Sequence, residues 1–160
     1  MRYRSVISVC LVVLALASFS ACGSEGSDVV SDQGDTSSSA LADDEGTALI
    51  LDNGRNYSIE NFEAAGYKKV TQFVLETLPE AIDAWYGFFN QKDFEIRIYP
   101  SHQVALDAGV EPAEVAIGKG AVPWQKRPPV RFDAYMVVGN VVMLCELEVA
   151  SCEVLVAQLE

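Results

Sequence analysis

The chain has 160 residues, of which 23 are acidic and 11 are basic; half of all residues are hydrophobic, and the formal net charge is −12. A surface that binds nucleic acid needs a basic face, so this charge balance argues against a nucleic-acid partner. An acidic body is also repelled by anionic lipid headgroups, so a charged patch is not expected to hold the chain on a membrane.

The N-terminal segment has the pattern of an export signal. Arg2 and Arg4 precede an apolar run over residues 6–19, and the small residues Ser20 and Ala21 follow it. This run is shorter than the roughly 20 apolar residues that cross a bilayer. The pattern therefore favours a cleaved signal peptide over an uncleaved anchor helix.

The residues Phe19-Ser20-Ala21-Cys22 resemble the lipobox of bacterial lipoproteins, in which an aliphatic residue and two small residues precede a cysteine. Phe19 stands where leucine is usual, but it still supplies a bulky apolar group. The resemblance implies that residues 1–21 are removed and that Cys22 becomes an N-terminus carrying acyl chains such as palmitate. Two or more chains anchor a protein firmly, because each buried methylene adds about 0.8 kcal/mol. The implied location is the cell membrane, facing the periplasm or the exterior, whereas an ordinary cleavage nearby would leave a secreted protein.

Residues 22–46 are predicted to be a disordered acidic tether. The stretch from Gly23 to Gly46 contains seven acidic residues, no Lys or Arg, and few large apolar side chains. Such a segment cannot bury enough surface to offset its ordering entropy. As a random coil it would span roughly 27 Å, at about 5–6 Å per square root of residue number. It would separate the membrane from a single folded domain at residues 47–160.

The first part of that domain is predicted to be mainly helical. Residues 48–51 form a short apolar run that ends at a turn, which permits a strand. Ser58 as an N-cap and Gly66 as a terminator predict a short helix between them. Apolar residues at three-and-four spacing predict a second helix over residues 67–78, and Pro79 ends it.

Residues 81–89 and 94–99 are predicted to form a β-hairpin across a polar turn. The second segment alternates apolar and charged residues with a period of two, which is typical of a strand with one buried face. Glu95 and Arg97 are therefore expected to face solvent, while the apolar positions between them face the core. A helix capped by Ser101 is expected to follow.

Residues 131–138 and 141–145 are predicted to form a second hairpin, because Gly139-Asn140 favours a tight two-residue turn. A capped helix is expected over residues 151–159, although Val154 and Val156 also permit a strand. Hairpins that alternate with helices predict an α+β fold, in which a small antiparallel sheet of about four strands carries helices packed on one face.

Cys145 and Cys152 are predicted to form a disulfide bond. Export would place them in an oxidising compartment, and six intervening residues allow the chain to fold back. The closed loop is short, so a stabilisation of about 2 kcal/mol is expected. A redox-active pair lacks the Cys-x-x-Cys spacing, and the domain has too few Cys and His residues for a zinc site, so no metal or other cofactor is expected. The stretch 94–109 and the hairpin ending at Cys145 also resemble small uncharacterised bacterial lipoproteins, a likeness that implies no activity.

A loop rich in Gly and Pro is a candidate contact site, because it places basic residues beside a tryptophan in an otherwise acidic domain. Such a loop would contact a small anionic ligand or an acidic envelope protein. The alternative is a mobile loop whose charge balances nearby acids. The residues concerned are Lys119, Trp124, Lys126, Arg127 and Arg131.

Two hypotheses from different classes follow. The first is a non-enzymatic binding or interaction module that the lipid on Cys22 tethers to the membrane. The second is a small envelope enzyme, such as a hydrolase, with Ser101 and His102 near its site. Adjacent residues at a helix start point in different directions, and no Gly-x-Ser-x-Gly motif is present. A cleft that joins His102 to two carboxylates would favour the enzyme, whereas an exposed aromatic or basic patch would favour the binding module.

Overall fold

The structure is a computed structural model that describes residues 39–43, 45–120 and 130–159. Among these residues, seven strands form one sheet: β1 (Ser39–Ala42), β2 (Ala48–Asp52), β3 (Lys68–Gln72), β4 (Asp83–Phe89), β5 (Lys92–Ile98), β6 (Ala134–Val138) and β7 (Val141–Cys145). The helices are α1 (Ile59–Ala64), α2 (His102–Val104), α3 (Val110–Ala116) and α4 (Val149–Val156), with a 3-10 turn at Leu75–Thr77 and a π-helical segment at Ala105–Gly109.

The sheet is mixed, with the strand order β1-β2-β6-β7-β5-β4-β3. Strands β2 and β6 pair in parallel, and the other neighbours pair antiparallel. Both predicted hairpins are confirmed, since β4 pairs with β5 and β6 pairs with β7. The two hairpins lie side by side, because β5 also pairs with β7.

The predicted four-stranded antiparallel sheet with helices on one face is wrong. Three further strands extend the sheet, and one of its pairings is parallel. Helices also cover both faces, because α1 and α4 pack on one face while α2, the π-helical segment and α3 pack on the other. The physical reason lies in β6 and β7, whose ten residues are all buried. A strand that is apolar at consecutive positions needs cover on both sides.

The two faces carry separate apolar cores. The first core joins Phe62 of α1 and Leu155 of α4 to the side chains of Phe94 and Ile96 on β5. The second core lies between the other face and the helices, and it includes Tyr99, Ala105, Ala113, Ile117, Val137, Val142 and Leu144. Side chains of β7 alternate between the two cores, as the pleat of a strand requires.

Gly109, in the π-helical segment, allows a close approach between the helices and the second face. A Cβ atom at this position would lie 2.7 Å from Cγ2 of Val142 and 2.8 Å from the ring of Tyr99. Real Cβ atoms do not approach other atoms so closely, so a larger residue would push the helix away from the sheet.

The predicted helix over residues 67–78 is wrong. Residues 68–72 form the edge strand β3, and only the short turn Leu75–Thr77 is helical. The apolar residues that produced the helical spacing do not share a buried face, because Val70 is 55% exposed and Val74 is 75% exposed. Antiparallel pairing with β4, and not the helical spacing of the apolar residues, determined the local structure of residues 68–72.

Strand β1 lies in the segment that the sequence predicts to be a tether. It pairs antiparallel with β2 at the edge of the sheet. The part of that segment before residue 39 lies outside the described residues.

The expectation that Glu95 and Arg97 face solvent is also wrong. The two side chains point to the second face, and the residues are only 9% and 4% exposed. Arg97 Nε donates a hydrogen bond of 2.7 Å to Glu95 Oε1. Arg97 Nη1 and the Tyr99 hydroxyl are buried without a hydrogen-bond partner among the described residues. Burial raises the pKa of the Tyr99 hydroxyl, which therefore stays protonated.

Asp43 organises the connection between β1 and β2. Its carboxylate accepts hydrogen bonds from the backbone N–H groups of Thr47 and Ala48 and from the Thr47 hydroxyl, at 2.7–2.9 Å. Lys119 Nζ lies 2.5 Å from the same carboxylate. Desolvation acts to raise the pKa of Asp43, but the hydrogen bonds from Lys119, Thr47 and Ala48 outweigh it and hold the pKa well below the usual 3.8.

We expect Asp43→Asn to lower the free energy of unfolding by about 1–2 kcal/mol at pH 7. A carboxyl whose pKa is depressed by folding stabilises the protein above its unfolded pKa of about 3.9, and this contribution is lost as the pH falls toward the folded value. The difference in the free energy of unfolding between wild type and variant should therefore shrink below about pH 4. Urea unfolding at several pH values measures this difference. Asp52→Asn, at an exposed turn, is the control. A difference that is the same at pH 3 and pH 7 would contradict the assignment.

Candidate binding site

A cavity of about 250 Å³ lies where the end of the β4–β5 hairpin meets the first turns of α4. We call it the Lys92 cavity. Its walls come from two parts of the chain that are far apart in sequence: Phe89, Asn90, Lys92, Phe94, Glu148, Ala150, Ser151 and Val154.

One wall of the Lys92 cavity is apolar. The rings of Phe89 and Phe94 meet edge to face, with their centroids 6.2 Å apart. Phe94 is buried in the first core, so this wall is anchored to the body of the domain. Val154 lies on the opposite side and is 50% exposed, which leaves apolar surface open to a ligand.

The other end of the Lys92 cavity is polar. Lys92 Nζ donates a hydrogen bond of 2.9 Å to Ser151 Oγ, and Ser151 is only 4% exposed. Within the described part of the chain, no carboxylate lies within 4.0 Å of the Lys92 ammonium group. Ser151 lies in the first turn of α4, where the unpaired backbone N–H groups add partial positive charge. The cavity therefore joins an apolar wall to an end where the Lys92 ammonium and the Ser151 hydroxyl meet, with the exposed carboxylate of Glu148 also in the lining.

A second concavity adjoins the Lys92 cavity and shares Phe89 and Asn90 with it. Lys68 lines this concavity and, like Lys92, has no ion pair among the described residues. The hairpin turn between the two has left-handed backbone at Asn90 and Gln91, with φ of 49° and 64°. This end of the acidic domain thus carries two unpaired lysines beside phenylalanine rings.

The comparisons with known proteins add one likeness. A model of a family of unknown function (DUF6810) matches residues 58–127. No curated protein and no solved structure matches the chain. The matched segment includes Phe89, Lys92 and Phe94, whereas Ser151 and Val154 on the opposite wall lie outside it. The DUF6810-like segment thus supplies one side of the cavity.

The predicted disulfide bond between Cys145 and Cys152 is confirmed. The two Cα atoms are 5.7 Å apart, which lies within the usual range for a disulfide. Both cysteines are fully buried, at the end of β7 and in α4. Because Cys152 follows Ser151 directly, the bond also holds the polar end of the Lys92 cavity against the sheet.

The basic loop predicted as a contact site is only partly described. Trp124, Lys126 and Arg127 lie outside the described residues, as does Cys22. Arg131 Nε lies 3.5 Å from an oxygen of Asp93, and its guanidinium group stacks 4.7 Å from the centroid of the Tyr86 ring.

Arg131 belongs to a polar cluster on the second face, separate from the Lys92 cavity. The Tyr86 hydroxyl donates to Asp93 at 3.0 Å. Burial and this hydrogen bond both raise the pKa of Tyr86. Arg131 is 58% exposed, so its outer edge remains open to solvent.

His102 takes a structural contact in the described residues. Its Nδ1 lies 2.6 Å from the carbonyl oxygen of Gly139, to which it donates when Nδ1 carries the proton. Ser101 Oγ accepts from the backbone N–H of Val104, which is the N-cap geometry. No hydrogen bond joins Ser101 to His102, and none joins His102 to a carboxylate, in the part of the chain that the structure describes.

Among the described residues, no three His, Cys, Asp or Glu side chains lie close enough to hold a metal ion. None of the helices in those residues is long and apolar enough to cross a membrane.

Sequence reasoning missed the Lys92 cavity. Lys92 and Asn90 looked like parts of an ordinary polar turn, and Ser151 looked like a helix cap 59 residues further along the chain. One available signal was Lys92 itself, with Phe88, Phe89 and Phe94 all within four residues of it, in a domain with nine basic and sixteen acidic residues.

Proposed function

We propose that this chain is a membrane-anchored bacterial lipoprotein whose extracytoplasmic domain works as a non-enzymatic binding module. The lipid on Cys22 provides the anchor, and the Lys92 cavity provides the binding site. The membrane is the first partner, through the acyl chains, and a small molecule in the cavity is the second.

Export and lipidation are supported by the N-terminal residues and by the cysteines of the domain. Arg2 and Arg4, the apolar run and the lipobox-like residues before Cys22 form a consistent signal. The bond between Cys145 and Cys152 agrees with this address, because disulfides persist mainly in oxidising compartments outside the cytosol.

The binding role rests on one observation, the Lys92 cavity. Ligand sites are concave and mostly apolar, with a few convergent polar groups that orient the ligand. The cavity has this composition, with Phe89, Phe94 and Val154 beside Lys92 and Ser151. The hairpin and the disulfide-anchored helix hold both walls in place before any ligand arrives, which limits the ordering entropy of binding.

Cys22→Ser should abolish lipidation and move the protein from the membrane fraction to the soluble or unprocessed pool. Intact mass spectrometry of the wild type should give the chain from Cys22 to Glu160 plus acyl groups, less two hydrogens that a reductant restores. Cys10→Ser, inside the signal, is the matched control and should leave the acyl mass unchanged. A wild-type mass without acyl groups, or one that retains Met1, would contradict the lipoprotein assignment.

The binding role is tested separately with small charged and neutral fragments. At least one class should shift the backbone amide resonances of Phe89, Lys92, Ser151 and Val154 in the mature protein. If no fragment of any charge shifts these resonances, the cavity is not a ligand site and the proposed binding role fails.

A further inference from the structure

We propose that the Lys92 cavity binds a small organic monoanion with an apolar tail, such as a short-chain carboxylate. The carboxylate would accept hydrogen bonds from the remaining N–H groups of the Lys92 ammonium and from the Ser151 hydroxyl, and the tail would lie against Phe89, Phe94 and Val154. This inference rests on the proposed binding function and specifies the chemical class of its ligand.

The polar end of the Lys92 cavity has hydrogen-bond donors that no acceptor among the described residues uses. A lysine ammonium group has three N–H donors, and Lys92 uses one on Ser151. Because Ser151 Oγ accepts that bond, its own hydroxyl proton remains free to donate. Among the described residues, no acceptor takes this proton, although Ser151 is only 4% exposed. Two donors from different elements therefore converge on one point of the cavity.

Charge argues for an anion at this point. Lys92 sits beside the N-terminal turn of α4, so a cation and a positive helix end adjoin each other. In a domain with a net charge of −7, acidic side chains are plentiful, yet none described lies within 4.0 Å of this lysine. A bound carboxylate would supply the missing counter-charge in a site partly screened from water.

The rim of the cavity limits how much negative charge fits. Glu148 lines the cavity and is exposed. A dianion would meet repulsion from this carboxylate, whereas a single negative charge can be held on Lys92 and Ser151 alone. The site is therefore better matched to a carboxylate than to a phosphate dianion.

The volume of the cavity guides the choice of a test ligand. A volume of about 250 Å³ holds about eight non-hydrogen atoms at roughly 30 Å³ for each water-sized group. Hexanoate has this number of atoms, with a carboxylate at one end and an apolar chain at the other. Hexanamide has the same size and shape without the charge, so the pair separates the contribution of charge from that of burial.

The experiment titrates the mature lipoprotein in detergent with hexanoate and with hexanamide, following the amide resonances of the cavity residues. Hexanoate should bind at least tenfold more tightly than hexanamide. Lys92→Met keeps the apolar stem and should weaken hexanoate binding about tenfold, which removes the preference for the anion. Lys68→Met changes another unpaired lysine outside the cavity and should leave both affinities unchanged.

A second variant, Val154→Glu, tests the cavity independently in case Lys92→Met does not fold. Val154→Glu alters an exposed position of α4 and should weaken both compounds, because it places a carboxylate in the apolar wall. Equal binding of hexanoate and hexanamide to wild type would overturn the anion proposal while leaving the cavity as a binding site. An equal loss for Lys68→Met and Lys92→Met, or binding of neither compound, would also overturn the anion proposal. The proposed binding function fails only if every fragment fails.

Discussion

Replacing Arg97 by Met should lower the free energy of unfolding by about 3–5 kcal/mol, as expected when one partner of a buried ion pair is removed. Arg97 and Glu95 are 4% and 9% exposed and share a hydrogen bond of 2.7 Å. Without Arg97, the Glu95 carboxylate would remain buried beside the second core without the partner that offsets the cost of its burial. Urea unfolding followed by circular dichroism measures the loss.

The double variant Glu95→Leu with Arg97→Met separates the buried charge from the volume of the side chains. It should recover most of the lost stability, because apolar residues of similar size often replace a buried ion pair without loss. Lys69→Met is the matched control, since Lys69 and Glu63 form a more exposed pair at 2.8 Å, and it should lose less than about 1 kcal/mol. A single Arg97 variant as stable as the Lys69 variant would show that the pair is not buried in solution.

Replacing Asn140 by Ala should lower the free energy of unfolding by about 3–5 kcal/mol, because it removes three buried hydrogen bonds at once. Asn140 is 4% exposed. Its side-chain oxygen accepts from the Tyr57 N–H at 2.6 Å, and its amide nitrogen donates to the carbonyl oxygens of Tyr57 and Tyr99 at 3.1 and 2.8 Å. The variant would leave these backbone groups buried without partners.

Asn140→Asp tests the same contacts in a different way. Asp keeps the acceptor for Tyr57 N–H but loses both donations and sets a negative charge against two carbonyl oxygens, so it should be at least as destabilising as Ala at pH 7. Gln158→Ala, at an exposed position, is the control and should change stability by no more than about 0.5 kcal/mol. A loss for Asn140→Ala as small as that of the control would show that the hydrogen bonds from Asn140 to the backbone of Tyr57 and Tyr99 do not stabilise the fold.

The position of Asn140 shows both the strength and the limit of local sequence patterns. Gly139-Asn140 predicted a tight hairpin turn, and β6 and β7 do pair across it. Gly139 has a φ of 51°, and a Cβ atom there would clash with the Arg55 carbonyl oxygen. The turn is therefore packed against the loop before α1 and does not project into solvent, which no pattern within the hairpin indicates.

The alternating pattern of β5 correctly predicted a strand but wrongly predicted that its charged residues face solvent. Alternating apolar and charged residues predict one face in a core and one face in water. Glu95 and Arg97 instead neutralise each other at two-residue spacing, so the charged face can be covered by helices. The contrary signal in the sequence was the apolar character of residues 134–138 and 141–145, two runs of five with no charged residue, because such runs are typical of strands covered on both faces.

The sequence by itself determined the features that depend on short-range chemistry. Turn residues and periodicity indicated both hairpins, and the spacing of Cys145 and Cys152 suited their bond. Interactions between distant segments decided the rest. The parallel pairing of β2 with β6 and the cover on both faces arise from partners far along the chain, and the strand at residues 68–72 arises from pairing with β4, beyond the reach of a local pattern. The Lys92 cavity has the same origin, because its donors lie on β5 and α4 and meet only when packing brings hairpin and helix together.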